Sequence, residues 1–135
     1  MKHYLFAAML VFACMFSCTK SGIETGGKIP ATLTGKWNYS AYFYSIGSPG
    51  SWHPANEQNK WIEFKEDGSF SSNLPPFNTA VGYHVTDSAH VQFITTVSSD
   101  SSLYYSFNID TVQRSVSLSS ARQICIEGCA QKFTR

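Results

Sequence analysis

The sequence predicts an all-β protein, an eight-stranded antiparallel up-and-down barrel, on three observations. Eight short runs between Lys36 and Arg135 alternate apolar and polar side chains with a period of two, the repeat of strands with one face buried. Turn residues such as Asp67-Gly68 and Pro75-Pro76 separate the runs, and every connection but one is short enough to join antiparallel neighbours. Ser, Thr, Tyr and Phe are abundant and helix-forming Ala-Leu-Glu-Lys runs are missing, which favours strands.

The first run, Lys36 to Tyr44, sets Trp37, Tyr39, Ala41 and Phe43 on the face expected to point inward, with Asn38, Ser40, Tyr42 and Tyr44 opposite. Lys60 to Lys65 is the second, with Ile62 and Phe64 inward. Glu66-Asp67-Gly68 then turns the chain into the third, Ser69 to Asn73, where Phe70 is the apolar contact. The fourth covers about Ala80 to Thr86 and the fifth His90 to Val97. Pairing Thr86 with His90 sets Val85 against Val91 and Tyr83 against Phe93, so both apolar faces fall on one side of the sheet. Leu103 to Ile109 is the clearest alternation, with Leu103, Tyr105, Phe107 and Ile109 on one face. Ser115 to Ser119 brings Val116 and Leu118, and the last run, about Cys129 to Arg135, brings Phe133. The long connection is Ser45 to Asn59, a Gly- and Pro-containing stretch that reads as a functional loop.

The N-terminus carries an address. Met1-Lys2-His3 leads into an apolar run from Tyr4 to Phe16 that closes at Ser17-Cys18. This is the layout of a signal peptide over residues 1–17, too short to span the roughly 30 Å of a bilayer core as a permanent helix. Met15-Phe16-Ser17-Cys18 resembles the lipobox of bacterial lipoproteins, which implies that Cys18 becomes the acylated first residue. Cys14, after Val11-Phe12-Ala13, is a rival position, but Cys18 is the one that ends the apolar run. Several acyl chains would hold firmly, since each buried CH₂ contributes about 0.8 kcal/mol. Residues 18–32 then read as a flexible polar tether and 33–135 as one folded domain. The expected location is the bacterial cell envelope, on the periplasmic or surface face of a membrane such as the outer membrane.

The chain carries 10 Lys and Arg against 9 Asp and Glu, and losing Lys2 with the signal balances them. No basic stripe offers itself to phosphates along a nucleic acid, so that class is set aside. Discarding Cys14 and acylating Cys18 leaves Cys125 and Cys129, within Cys-Ile-Glu-Gly-Cys. In an oxidising compartment a disulfide is the leading reading; zinc is the alternative, but it needs four ligands and no histidine stands near the pair in sequence.

Gly35-Lys36-Trp37, Phe64-Lys65-Glu66-Asp67-Gly68-Ser69-Phe70 and Cys125-Ile126-Glu127-Gly128-Cys129 together resemble the lipocalin-like domain of bacterial lipoproteins, over about Leu33 to Arg135. The resemblance implies a barrel whose interior can hold a small apolar molecule. The chain is short for a full lipocalin and has no counterpart of the usual C-terminal helix, so a barrel filled by its own side chains is the competing expectation.

Within that frame Trp37 is core. Tyr39, Phe43, Phe64, Tyr83, Phe93, Tyr105 and Phe107 are candidates to line the interior, as pocket wall or as solid packing, and Trp52 with His53 to cover its mouth, as lid or plug. The hydroxyls of Tyr39, Tyr83 and Tyr105 discriminate, because a buried hydroxyl without a partner costs on the order of 1 to 3 kcal/mol. His84 and His90 flank one hairpin and point outward, which reads as a solvated pair rather than a metal clip. The carboxylates fall mainly in turns or on outward positions and no serine sits in a Gly-x-Ser-x-Gly elbow, so the chain is expected to be a non-enzyme with no catalytic residue, metal or cofactor. Two functions remain in view. One is a lipid-anchored binder of a small hydrophobic ligand in the barrel or at its mouth. The other is an interaction module with a solid core that docks a protein partner on an outer face including Trp61, Tyr42 and Tyr104.

Overall fold

The computed structural model describes residues 28–45, 49–96, 103–122 and 130–135. The strands are β1 Gly35–Tyr44, β2 Ser51–Pro54, β3 Trp61–Phe64, β4 Phe70–Ser72, β5 Ala80–Val85, β6 His90–Thr95, β7 Tyr104–Asp110, β8 Ser115–Ser120 and β9 Ala130–Thr134, with one 3-10 turn, Phe77–Thr79. There is no α-helix among the described residues. All strand pairs are antiparallel and follow the order β4-β3-β1-β9-β8-β7-β6-β5, with β2 added beside β1. Setting β2 aside, each strand neighbours its successor and β9 returns to β1. The fold is therefore an eight-stranded, nearly closed up-and-down barrel.

A turn makes the closure between the two outermost strands. Asp67 accepts hydrogen bonds from Ser69 N at 2.9 Å and Ser69 Oγ at 2.6 Å, and Gly68 takes φ +82°, where only glycine is unstrained. That conformation turns the Gly68 carbonyl toward β5, where Tyr83 N donates to it at 2.9 Å beside the Ser69–Gly82 bridge. A Cβ on Gly82 would lie 3.3 Å from the same carbonyl oxygen, so the seam depends on two glycines.

The expected β5–β6 register is present: Val85 opposes Val91, Tyr83 opposes Phe93, and Thr86 N donates to His90 O at 3.0 Å. Three expectations need correction. The stretch Ser45 to Asn59, expected to be a loop, contains β2, whose Ser51, Trp52, His53 and Pro54 oppose Tyr44, Phe43, Tyr42 and Ala41. Its run toward β3 is broken only by a short excursion, since Ala55 N donates to Ser40 O and Tyr39 N to Lys60 O. Polar and Pro-rich composition concealed the strand because every residue of β2 is exposed, leaving no apolar alternation to read.

The second correction concerns Phe43. Directly opposed residues of antiparallel strands share a face. Phe133 and Leu118 are fully buried, so Tyr39 opposite Phe133, Gln131 opposite Leu118 and Tyr42 opposite Gln131 lie on the inner face. The register slips between Tyr39 and Ala41, leaving Ser40 as the extra residue of a β-bulge. Beyond the bulge the alternation is inverted: Tyr42 turns inward, while Ala41 and Phe43 turn outward. The third correction is at the start of the domain. Leu33, the expected first residue of the domain, is fully buried, but Ile29, expected to belong to a free tether, already packs on the core.

Candidate functional site

The interior was the first place expected to hold a ligand, and it is occupied by side chains. Phe64, Tyr83, Phe93, Tyr105 and Phe107 are buried there and Tyr39 is partly buried against Phe133, at 5.6 Å between ring centroids. Phe77, delivered by the connection from β4 to β5, is 0 % exposed and sits among Phe93, Tyr105, Phe70 and Phe133, with centroids 5.0 to 6.4 Å away. Phe64 meets Phe70 at 5.0 Å and Tyr83 at 4.9 Å, and Phe70 meets Phe93 at 4.7 Å, mostly edge to face. Sequence reading missed Phe77, because a single aromatic between Pro75-Pro76 and Asn78 carries no periodicity.

Polar groups do not reopen that interior. The Tyr83 hydroxyl donates to Lys65 O at 2.8 Å, and no buried side-chain nitrogen or oxygen among the described residues lacks a partner. Burial, with Asp67 and Glu66 adding to it, pushes the Tyr83 phenol up to about 12. Burial also raises Tyr105, and burial followed by the charge of Glu57 raises Tyr39.

The second place is the β1–β2 ribbon, where the far half of β1 carries β2 on one edge while β9 continues along the other as far as Phe43. On its outer face Phe43 meets Trp52 edge to face at 5.5 Å, and Lys132 Nζ lies 5.6 Å over the Trp52 ring. Trp52 is therefore an outer-face residue rather than a lid, and it stays 42 % exposed. On the inner face His53 stacks on Tyr42 at 5.6 Å with 25° between planes and meets Tyr44 edge-on at 6.3 Å. His53 also shares a 3.0 Å hydrogen bond with Ser51 Oγ. The ribbon thus holds five aromatic or imidazole rings on two faces. Only the bulge at Ser40, which alternation cannot reveal, decides which ring goes where.

The opposite end of the barrel is closed by the incoming chain. Trp37 Nε1 donates to Leu33 O at 2.8 Å, and the Arg135 guanidinium lies 3.8 Å over the Trp37 ring. Arg135 also donates to the carbonyls of Thr32 and Thr34, and its backbone N donates to Arg114 O at 3.1 Å. Burial, then the like charge of Arg114, lowers the Arg135 pKa.

On the wall, His90 bonds both carboxylate oxygens of Asp87 at 2.8 Å and stacks on Tyr104 at 5.4 Å with 6° between planes, while Arg122 covers Tyr104 at 5.3 Å. His84 opposes Gln92, on the same face of the sheet as His90. Trp61 is partly buried with Lys36 Nζ 4.4 Å over its ring, so of the three residues expected on the outer docking face Trp61 and Tyr104 are already covered by cations, and Tyr42 points inward. No group of three His, Cys, Asp or Glu able to hold a metal exists among the described residues. Cys18, Cys125 and Cys129 lie outside the described residues. Comparison of the chain with protein-family models, with curated proteins and with solved structures found no match.

Proposed function

We propose that this chain is a lipid-anchored interaction module of the bacterial cell envelope, in which a solid lipocalin-like barrel holds out the β1–β2 ribbon to a protein partner. One observation carries the reading: Phe77 fills the centre of the barrel while Trp52 and Tyr44, at 42 % and 39 % exposure, remain open on the ribbon. Trp and Tyr are among the residues most enriched at binding hot spots, and here they open on the two faces of one ribbon. Binding of a small hydrophobic ligand inside would require displacing close-packed rings, which makes it the weaker reading.

Polarity along the barrel supports the same arrangement. The chain enters at the end closed by Leu33 and Trp37, and the tether from Cys18 attaches there. The ribbon lies at the other end of β1, so an anchored molecule presents it away from the bilayer. No chemistry is required of the site.

Site-specific photocrosslinking in envelope-bearing cells tests this. A crosslinker at position 52 or 44 is expected to trap one discrete protein, whereas one at Val112, 92 % exposed at the entry end, is expected to trap none. Equal labelling from all three positions, or none from the ribbon, sinks the proposal. Loss of both ribbon adducts when Cys18 is replaced by serine would tie the contact to anchoring.

A further inference from the structure

At the entry end two arginines share one cleft of about 210 Å³, lined by Thr32, Trp37, Ile109, Asp110, Arg114 and Arg135 among others. Neither arginine has a carboxylate partner, since the ion pairs among the described residues are Lys60 with Glu57 and His90 with Asp87. Asp110 lines the cleft, but its Oδ1 is committed to Val112 N and Gln113 N, each at 2.9 Å. Arg135 is held rigidly between the Trp37 face and Gly35, whose Cβ position would lie 3.5 Å from the guanidinium carbon. Its hydrogen bonds to Thr32 O and Thr34 O both use Nη2, which leaves Nε–H and the two Nη1 hydrogens without an acceptor among the described residues.

Two adjacent like charges in a cleft repel and the one carboxylate of Asp110 offsets only part of them, while a guanidinium fork with free donors matches a tetrahedral oxyanion. We propose that Arg114 and Arg135 form a phosphate-binding site. Arg135 is the preorganised half, stacked and aimed; Arg114, exposed on the turn from β7 to β8, is the half that swings onto the ligand. The Thr32 and Thr111 side chains stand on the rim of the same cleft.

The phosphate has two sources, a free phosphorylated solute or the headgroup of the membrane beneath the tether. The cleft stands independently of the anchor, and only the headgroup source rests on the anchored reading. From Cys18 to Ile29 the extended chain reaches at most about 3.5 Å per residue, so this end stays within tens of ångströms of the bilayer.

The test uses the chain from Thr19 onward, which contains every described residue, and its Arg114→Asn variant. Asparagine tolerates the left-handed backbone of that position, φ +49°, so the variant removes charge without straining the turn. Inorganic phosphate is expected to shift the Arg135 Nε–H resonance saturably, chloride at equal ionic strength to leave it in place, and Arg114→Asn to weaken the response about tenfold. Vesicles of phosphatidic acid, compared with the phosphate arm, separate the sources: capture that Arg114→Asn abolishes assigns the headgroup, and phosphate binding without capture assigns a solute. A resonance unmoved by both phosphate and vesicles, or a response that Arg114→Asn does not weaken, overturns the proposal. Mass measurement of Cys18 acylation reports on the anchor separately.

Discussion

The guanidinium of Arg135 lies 3.8 Å over the indole of Trp37, joining the residue after β9 to the third residue of β1. The indole in turn holds the incoming segment, because its Nε1 donates to Leu33 O. One ring therefore fastens three separate pieces of backbone at the closed end. Trp37→Phe retains a ring but strands a carbonyl beside a fully buried leucine. The expected cost is on the order of 1 to 3 kcal/mol, read as a lower urea midpoint. An unchanged midpoint would show that the entry segment contributes nothing to the fold.

Phe77 is the strongest test of the solid interior. It is fully buried among four other rings. Truncation to alanine is expected to cost about 3 to 5 kcal/mol and to leave an apolar void. Such voids stay dry and admit small aromatics, so the variant should gain saturable benzene or indole binding that the parent lacks. A parent chain that binds such a probe equally well would restore the ligand-carrier reading.

Tyr83 sets an alkaline limit. Its phenol is up at about 12, above the ordinary value of 10.0, because burial and two nearby carboxylates disfavour the phenolate. The unfolded chain therefore gives up this proton first. Between those values the folded state binds more protons than the unfolded one, so this contribution is whole below pH 10 and declines as pH climbs through the folded pKa. Tyr83→Phe should flatten the decline while lowering stability at neutral pH by about 1 kcal/mol through loss of the bond to Lys65 O. Unfolding midpoints measured across alkaline pH, with tyrosinate absorbance alongside, check both signs.

Asp67 and Asp87 act at the other extreme. Hydrogen bonds from Ser69 hold the Asp67 carboxyl below its usual range, and those from Ala89 and His90 do the same for Asp87. The stabilisation is present above the ordinary aspartate pKa and is lost as pH falls through the lowered ones. Because the Asp67 turn aims Gly68 O at Tyr83 N, acid should open the β4–β5 seam before the rest of the barrel. Amide exchange at Tyr83 rising earlier than at Val116 in an acid titration is the expected outcome; simultaneous loss would mean that the seam is no weaker than the wall.

Most of the barrel was legible because its strands obey a period of two and bury one face, as in Tyr105 and Phe107 or Val91 and Phe93. Of the candidate site, Trp52, His53 and Tyr42 were legible as residues but their arrangement was not, for three physical reasons. β2 is wholly exposed and so carries no alternation. A bulge at Ser40 costs one residue of register and inverts everything after it, and no residue type marks it. Arg135 and Arg114 stand 21 positions apart, and only the antiparallel return of β9 beside β8 brings their backbones into contact. Pattern reading finds what repeats, whereas recognition groups are set by where the pattern is interrupted.

The ribbon gives the remaining prediction. Gly50 lies against the ring of Phe43: an added Cβ would fall 2.4 Å from two of its carbons and 2.9 Å from Ser45 Cβ, distances that force something to move. Phe43 is the residue that holds Trp52, by the 5.5 Å edge contact on the outer face. Gly50→Ala should therefore push Phe43 aside and release Trp52 without touching the barrel core. Because every residue of β2 is exposed, its loosening is expected to stay separate from the core, and global stability should change by no more than about 1 kcal/mol. The crosslink from position 52 should nevertheless be lost, together with the fluorescence of a partly shielded indole. If instead global unfolding and ribbon recognition fall together, the ribbon is part of the cooperative fold and not a separately presented element.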